Sequence, residues 1–450
     1  MKWQMVSDTG SDRLLLVFAG WGMGADAFAG LARSGYDVMV VWDYRSFFID
    51  WSCVDRYCEI CLLAWSLGVY AASQTTHAID YKITRRVAVC GTAEPIHDRY
   101  GIAEARFYDI IDRLPATSVA EVLESEAMCP TMSADEVAAE LQSVADRQLL
   151  SVPAASRWDV ALVGVDDRLW PAYNQRRAWQ AAGVPVEPMH SGHVPDFQAV
   201  ADRQFVDKQR VRQRFGSVAA GYDAHASVQQ QIVDEMLAMV QTSGLARRLA
   251  EPPVSILEVG SGSGCLTRYL AELAPEANMT VWDLAAPRPA GLAPSVRFEG
   301  CDAELRISSL EPETLDVIFS ASTMQWFNSP ARFLAGCARA LRPGGYAVLS
   351  TYVRGNMHEI SDITGVALPL SDPERLLAMA ADRFEVVDHR LFERDLDFDS
   401  PVDVLRHLRH IGGDSLGVGN PLRIVRRYPM MLDGRYHLTY RPMLMLLRKG

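Results

Sequence analysis

The stretch Ser255-Ile256-Leu257-Glu258-Val259-Gly260-Ser261-Gly262-Ser263-Gly264 constrains the chain more than any other. Ile256, Leu257 and Val259 form a short apolar run, as expected of a strand buried on both faces. Three alternating glycines follow, and Cys265 to Glu272 then reads as a helix. A strand that turns through glycine into a helix opens a parallel α/β sheet and brings a ligand against backbone with no Cβ in the way.

This unit begins more than halfway along a chain of 450 residues, longer than one hydrophobic core usually supports. A second α/β series precedes it. Arg13 to Phe18, Tyr36 to Trp42, Ile60 to Trp65, Arg85 to Cys90 and Trp158 to Val163 are strand candidates with helical patterns between several of them. From about Ile96 to Leu150 the pattern is helical and acidic, which predicts a helical cap over a site at the strand ends. The expected division is residues 1–202 and 203–450, joined by a short polar connection between Gln198 and Gln209.

In the first half, Ala64-Trp65-Ser66-Leu67-Gly68 closes a strand and opens a helix, the arrangement of a nucleophile elbow with alanine in place of the first glycine. An acid and a histidine follow in the chain order that fold requires, on Val165-Asp166-Asp167-Arg168 and on His190-Ser191-Gly192-His193. Ser66 is the expected nucleophile, His193 its general base and Asp167 the orienting carboxylate, with Asp166 and His190 as alternatives. The N–H groups of Leu67 and of Trp21, in the turn after the first strand candidate, are the expected oxyanion donors. A serine at such a turn is otherwise a helix cap; three elements in order favour catalysis.

The glycine loop alone does not separate S-adenosylmethionine (SAM) from a dinucleotide. A ladder of strand ends does: Thr280-Val281-Trp282-Asp283, Cys301-Asp302-Ala303 and Leu315 to Ser320 follow in turn. Glu258, Gly260, Gly262, Gly264, Asp283, Asp302 and Ser320 are therefore the expected cofactor residues of a class I, Rossmann-like SAM-dependent methyltransferase. Tyr222 and His225 before the sheet, and Gln325-Trp326 after the fourth strand, are expected to line the acceptor pocket. Methyl transfer is an in-line displacement, so an acceptor that is already a carboxylate needs alignment more than a base.

Charge excludes some partners. Up to Asp202 the chain has 16 basic and 27 acidic residues, net −11, and the remainder has 28 and 29, net −1. Neither half has the positive field of a nucleic-acid binder. No apolar run is long enough to cross a bilayer and the first residues lack a signal-peptide core, so a cytoplasmic location is expected. Eight cysteines make no disulfide framework, and Cys58 with Cys61 reads as buried packing ahead of the Ser66 turn. No metal-ligand spacing stands out.

Phe18-Ala19-Gly20-Trp21-Gly22-Met23, the Ser66 elbow and Gly91 to Ile96 resemble the BioG type of pimeloyl-[acyl-carrier protein] methyl ester esterase, an α/β-hydrolase. Phe215 to Asp223, Ile256 to Gly264 and Gln325-Trp326 resemble the BioC type of malonyl-[acyl-carrier protein] O-methyltransferase. The resemblance implies a biotin-synthesis pair: one half esterifies malonyl-carrier protein with SAM, and the other later removes the methyl group from the pimeloyl product. It also implies docking of an acidic carrier protein, for which Arg85, Arg86, Arg99 and Arg106 are candidates in the first half and Lys208, Arg210, Arg212 and Arg214 in the second. Two other readings stay open at this point: a general carboxylesterase joined to a small-molecule methyltransferase, and a first half that only binds or scaffolds.

Overall fold

The computed structural model describes the chain except residues 34, 115–130, 151–157, 219–224, 286, 290, 365–366 and 413–420. It divides into two compact units, Met1–Phe205 and Val206–Gly450.

The first unit is built on seven strands: β1 Lys2–Ser7, β2 Arg13–Phe18, β3 Asp37–Trp42, β4 Glu59–Trp65, β5 Ile83–Val89, β6 Val160–Gly164 and β7 Val186–Met189. Their order across the sheet is β1-β3-β2-β4-β5-β6-β7, with β1 antiparallel to β3 and the other pairs parallel. β4 is buried along its whole length and β2 almost so, which is why both read as unbroken apolar runs. β1, exposed over its first three residues Lys2, Trp3 and Gln4, carries no such signal and is absent from the sequence reading. Between β5 and β6 the helices Glu104–Arg113 and Ala134–Leu150 form the helical insertion. Their apolar faces, including Phe107, Ile110, Val137, Leu141 and Val144, join the core of this unit.

The second unit opens with the helices Lys208–Val218 and Ser227–Thr242. Its sheet comprises β8 Ser255–Val259, β9 Asn278–Asp283, β10 Arg297–Gly300, β11 Leu315–Ser320, β12 Leu341–Tyr352, β13 Glu385–Leu391 and β16 Pro442–Arg448. The order is β10-β9-β8-β11-β12-β16-β13, parallel except for β16, which runs antiparallel to β12 and β13. After β10 the chain crosses to the other side of β8 to form β11, so the end of β8 is the topological switch point where such sheets bind ligands. Between β13 and β16 lies an insertion: a two-stranded sheet of β14 Arg394–Phe398 and β15 Tyr436–Tyr440, with the helices Pro401–His410 and Pro421–Arg427 between its strands.

Candidate active sites

At the end of β4 the backbone of Ser66 takes φ 57° and ψ −127°, in the left-handed region that a residue with a Cβ enters only under constraint. Its neighbours supply the constraint. The Ser66 N–H donates to the Val89 carbonyl at 2.9 Å. A Cβ on Gly68 would sit 2.5 Å from the Phe18 oxygen, and one on Gly91 would sit 2.3 Å from the Ser66 oxygen. Both positions therefore need glycine so that strand, turn and helix can close on each other.

The strained turn brings the Ser66 Oγ to 2.9 Å from Nε2 of His193, whose Nδ1 lies 2.9 Å from Oδ2 of Asp167. Asp166 and His190 are exposed and take no part in this relay. Asp167 is held on both sides. Oδ1 accepts the N–H groups of Leu169 at 3.1 Å and Trp170 at 2.9 Å, and Oδ2 accepts Nε2 of Gln175 at 2.9 Å. Trp65 Nε1 donates to the His193 carbonyl at 2.8 Å, so the residue before the serine also anchors the histidine loop. All three relay side chains are buried, where hydrogen bonds act in a low dielectric.

Leu67 is the first residue of the helix Leu67–Thr75, and its N–H has no carbonyl within that helix to bond. Trp21 is buried in the turn after β2. That turn is fastened by a residue the sequence did not single out. Glu140, on the helix Ala134–Leu150 and 1% exposed, accepts the Gly22 N–H at 2.6 Å and the Tyr44 N–H at 2.7 Å. Burial pushes its carboxyl up to about 7 while the two N–H groups pull the other way.

In the second unit, the ends of β8, β9 and β11 and the two opening helices surround a cleft that is open to solvent. Of the expected cofactor residues, Glu258, Gly260, Gly262, Asp283 and Asp302 line it. A Cβ on Gly262, at φ 52°, would meet nothing within 4 Å, so this part of the loop faces open space. Asp283 bonds the loop directly, accepting the Gly262 N–H at 2.9 Å. Glu258 is 1% exposed with one carboxyl oxygen lacking a partner, and the buried Ser261 hydroxyl beside it also lacks one. Burial, reinforced by Asp283, raises the Glu258 carboxyl to about 8. Buried polar atoms without partners, set in an otherwise apolar cleft, fit a polar and cationic ligand such as SAM.

Several expectations are corrected. Ser320 does not reach the cleft: it is fully buried and donates to the Val259 carbonyl, and Ala321, Ser322 and Thr323 line the wall instead. Gly264 caps the following helix, its free side against Pro289. Trp326 lines the cleft, but Gln325 does not: it is buried and donates to the Ser322 carbonyl. His225 is outside the cleft wall, stacked on His410 at 3.9 Å, and Tyr222 lies outside the described residues. Phe215, packed edge-on against Trp326 at 5.4 Å, completes that end of the cleft.

Lys208 is not a surface charge: 2% exposed, it pairs with Asp302 at 3.3 Å and Glu304 at 2.8 Å and braces the cleft wall. Arg85 bonds Gln204, Arg86 pairs with Asp80 and the exposed Arg212 bonds the Leu284 carbonyl; Arg99, Arg106 and Arg214 are exposed as well and Arg210 is half-buried. Cys61 is buried as expected, but Cys58 is exposed, its thiol 3.4 Å from the Asp12 carboxylate. Among the described residues no cluster of His, Cys, Asp and Glu is placed to hold a metal, and no helix is long and apolar enough to cross a membrane.

Residues 1–198 match the family described as pimeloyl-ACP methyl esterase BioG, and residues 257–349 match a methyltransferase domain family. A malonyl-[acyl-carrier protein] O-methyltransferase of Bacteroides fragilis is 29% identical over 418 residues, covering 88% of this chain and 83% of its own length. The enzyme of the same name from Chlorobium phaeovibrioides is 30% identical over 256 residues, covering 54% of this chain and 97% of its own. A solved structure of BioG from Haemophilus influenzae is 25% identical, covers 43% of this chain and 94% of its own, and has a TM-score of 0.37. Through its second unit the chain belongs to the malonyl-[acyl-carrier protein] O-methyltransferase family, and ahead of that unit it carries a BioG domain, the two fused in one polypeptide.

Proposed function

We propose that this chain is a bifunctional enzyme of biotin synthesis. Its second unit esterifies the free carboxylate of malonyl-carrier protein, and its first unit hydrolyses the methyl ester of pimeloyl-carrier protein. The observation that carries the esterase half is the Ser66–His193–Asp167 relay, with 2.9 Å at each link, inside a BioG domain.

In the first unit His193 takes the Ser66 proton as Oγ attacks the ester carbonyl. The N–H groups of Leu67 and Trp21 receive the developing oxyanion, and the imidazolium returns the proton to the departing methanol. Water, activated by the same imidazole, then releases the carboxylate product. Asp167 holds the tautomer throughout, with Gln175 and the Leu169 and Trp170 N–H groups fixing its plane.

In the second unit Glu258, Gly260, Gly262, Asp283 and Asp302 hold the cofactor. When bound, SAM supplies an electrophilic methyl group on a sulfonium. Phe215 and Trp326 give the acceptor end an apolar wall, against which a bare carboxylate would be partly desolvated and aligned without needing a base. Esterification also removes a charge that would otherwise cost several kcal/mol to bury in an apolar elongation pocket.

The test is mass spectrometry of malonyl-carrier protein incubated with SAM and the Ser66→Ala chain, followed by pimeloyl-carrier methyl ester with the unaltered chain. The first should gain one methylene in mass and the second should lose one. No gain with carrier-linked malonate, but methylation of free acids, would overturn the reading.

A further inference from the structure

The insertion between β13 and β16 has a face that its own packing does not use. Val404, Leu408, Ile411, Ile424 and Tyr428 turn inward to the core, and the helices Pro401–His410 and Pro421–Arg427 pack on each other. Arg406, Arg409, Arg423, Arg426 and Arg427 are exposed. Residues 401–412 and 421–432 hold these five arginines and one acid, Asp403, which pairs with Arg406, while Arg427 lies in a pocket with Glu359 and Asp362; Arg409, Arg423 and Arg426 remain for a partner, in a unit whose overall balance is close to neutral. The same stretch exposes large apolar side chains: Leu422 at 63%, Met430 at 64% and Leu432 fully. Arginine beside unspent methionine and leucine is the composition of a binding surface, not of a merely solvated one.

Its position adds a second argument. Gly412, just past the helix Pro401–His410, lies against the ring of Phe215, a wall of the cofactor cleft. His410 stacks on His225, which precedes the cleft residue Ala226. The end of the helix that carries Arg406 and Arg409 thus lies next to the cleft wall.

We infer that this face docks the acidic carrier protein and delivers its thioester arm to the methyl donor; the inference rests on the function proposed above. Carboxylates of the carrier would meet the arginines, and the apolar side chains would take the centre of the contact.

The experiment compares the intact chain with an Arg409→Glu/Arg423→Glu/Arg426→Glu variant and a Met430→Ser/Leu432→Ser variant. Measured for each are methylation of malonyl-carrier protein, methylation of malonyl-pantetheine, SAM binding and direct carrier-protein binding. The expected result is a KM for malonyl-carrier protein raised by about tenfold or more, with SAM binding and the rate on malonyl-pantetheine retained. An unchanged KM and an unchanged carrier affinity would overturn the proposal, as would an equal loss on both substrates. Arginine-dependent capture by anionic phospholipid vesicles, with carrier kinetics unaltered, would assign the face to a membrane instead. Should the intact chain methylate neither substrate, the functional reading falls, and direct binding of carrier protein by the intact chain but not the variants still decides the surface.

Discussion

Replacing Glu140 with alanine isolates the fastening of the turn that carries Trp21. The substitution removes both acceptors from the Gly22 and Tyr44 N–H groups, which are left buried. At about 1–3 kcal/mol for each unsatisfied group, the first unit loses about 2–6 kcal/mol. The carboxyl itself offsets part of this in a pH-dependent way. An acid raised from 4.5 to about 7 stabilises the fold fully below 4.5 and loses that contribution as pH rises through 7. Across that gap the loss is about 3 kcal/mol, at about 1.4 kcal/mol per pH unit, and roughly 2 kcal/mol of it falls between pH 5.5 and 8. The alanine variant should therefore be penalised more at pH 5.5 than at pH 8. Catalysis should fall as well, up to the roughly 10²–10³-fold in kcat expected for a lost oxyanion donor, with KM on a short methyl ester little changed. Labelling of Ser66 by a fluorophosphonate after urea pulses reads the unfolding of this unit alone, and ester turnover reads the chemistry. Wild-type kcat in a folded Glu140→Ala chain would refute the reasoning, as would a stability cost independent of pH.

Gly91→Ala should abolish esterase turnover while methyl transfer in the same chain proceeds at the wild-type rate, because the new Cβ would lie 2.3 Å from the Ser66 carbonyl oxygen. Parallel assays of the two activities check this. Glu258, raised to about 8, must shed a proton to meet a cationic cofactor at neutral pH. SAM affinity, followed by calorimetry, should therefore strengthen by up to about tenfold per pH unit between pH 6 and 8 and level off above, and Glu258→Gln should flatten the slope.

Geometry carried by local patterns was legible in the sequence. The Ser66 elbow and the Gly260–Gly264 loop are each a strand end, a turn and a helix start within ten residues, and backbone geometry alone demands their glycines. The order of serine, acid and histidine survived because the strands deliver them in chain order, although the choice of Asp167 over Asp166 needed the hydrogen bonds of Gln175 and Trp170. Partners distant in sequence could not be read in this way. Glu140 meets Gly22 across 118 residues and looked like one more acid on an acidic helix. Lys208 looked like a surface charge because nothing near it in sequence announces Asp302 and Glu304. Ser320 sits at the right strand end but faces inward, since alternate residues of a strand point to opposite faces.

The division into two units, each with its own sheet and core, fixes a ratio. On the function proposed above, one copy of the unit that makes the mask is translated with every copy of the unit that removes it, so the two are made in equal number. The balance then rests on selectivity built into each cleft: hydrolysis of the short ester must be slow enough for its elongation to compete.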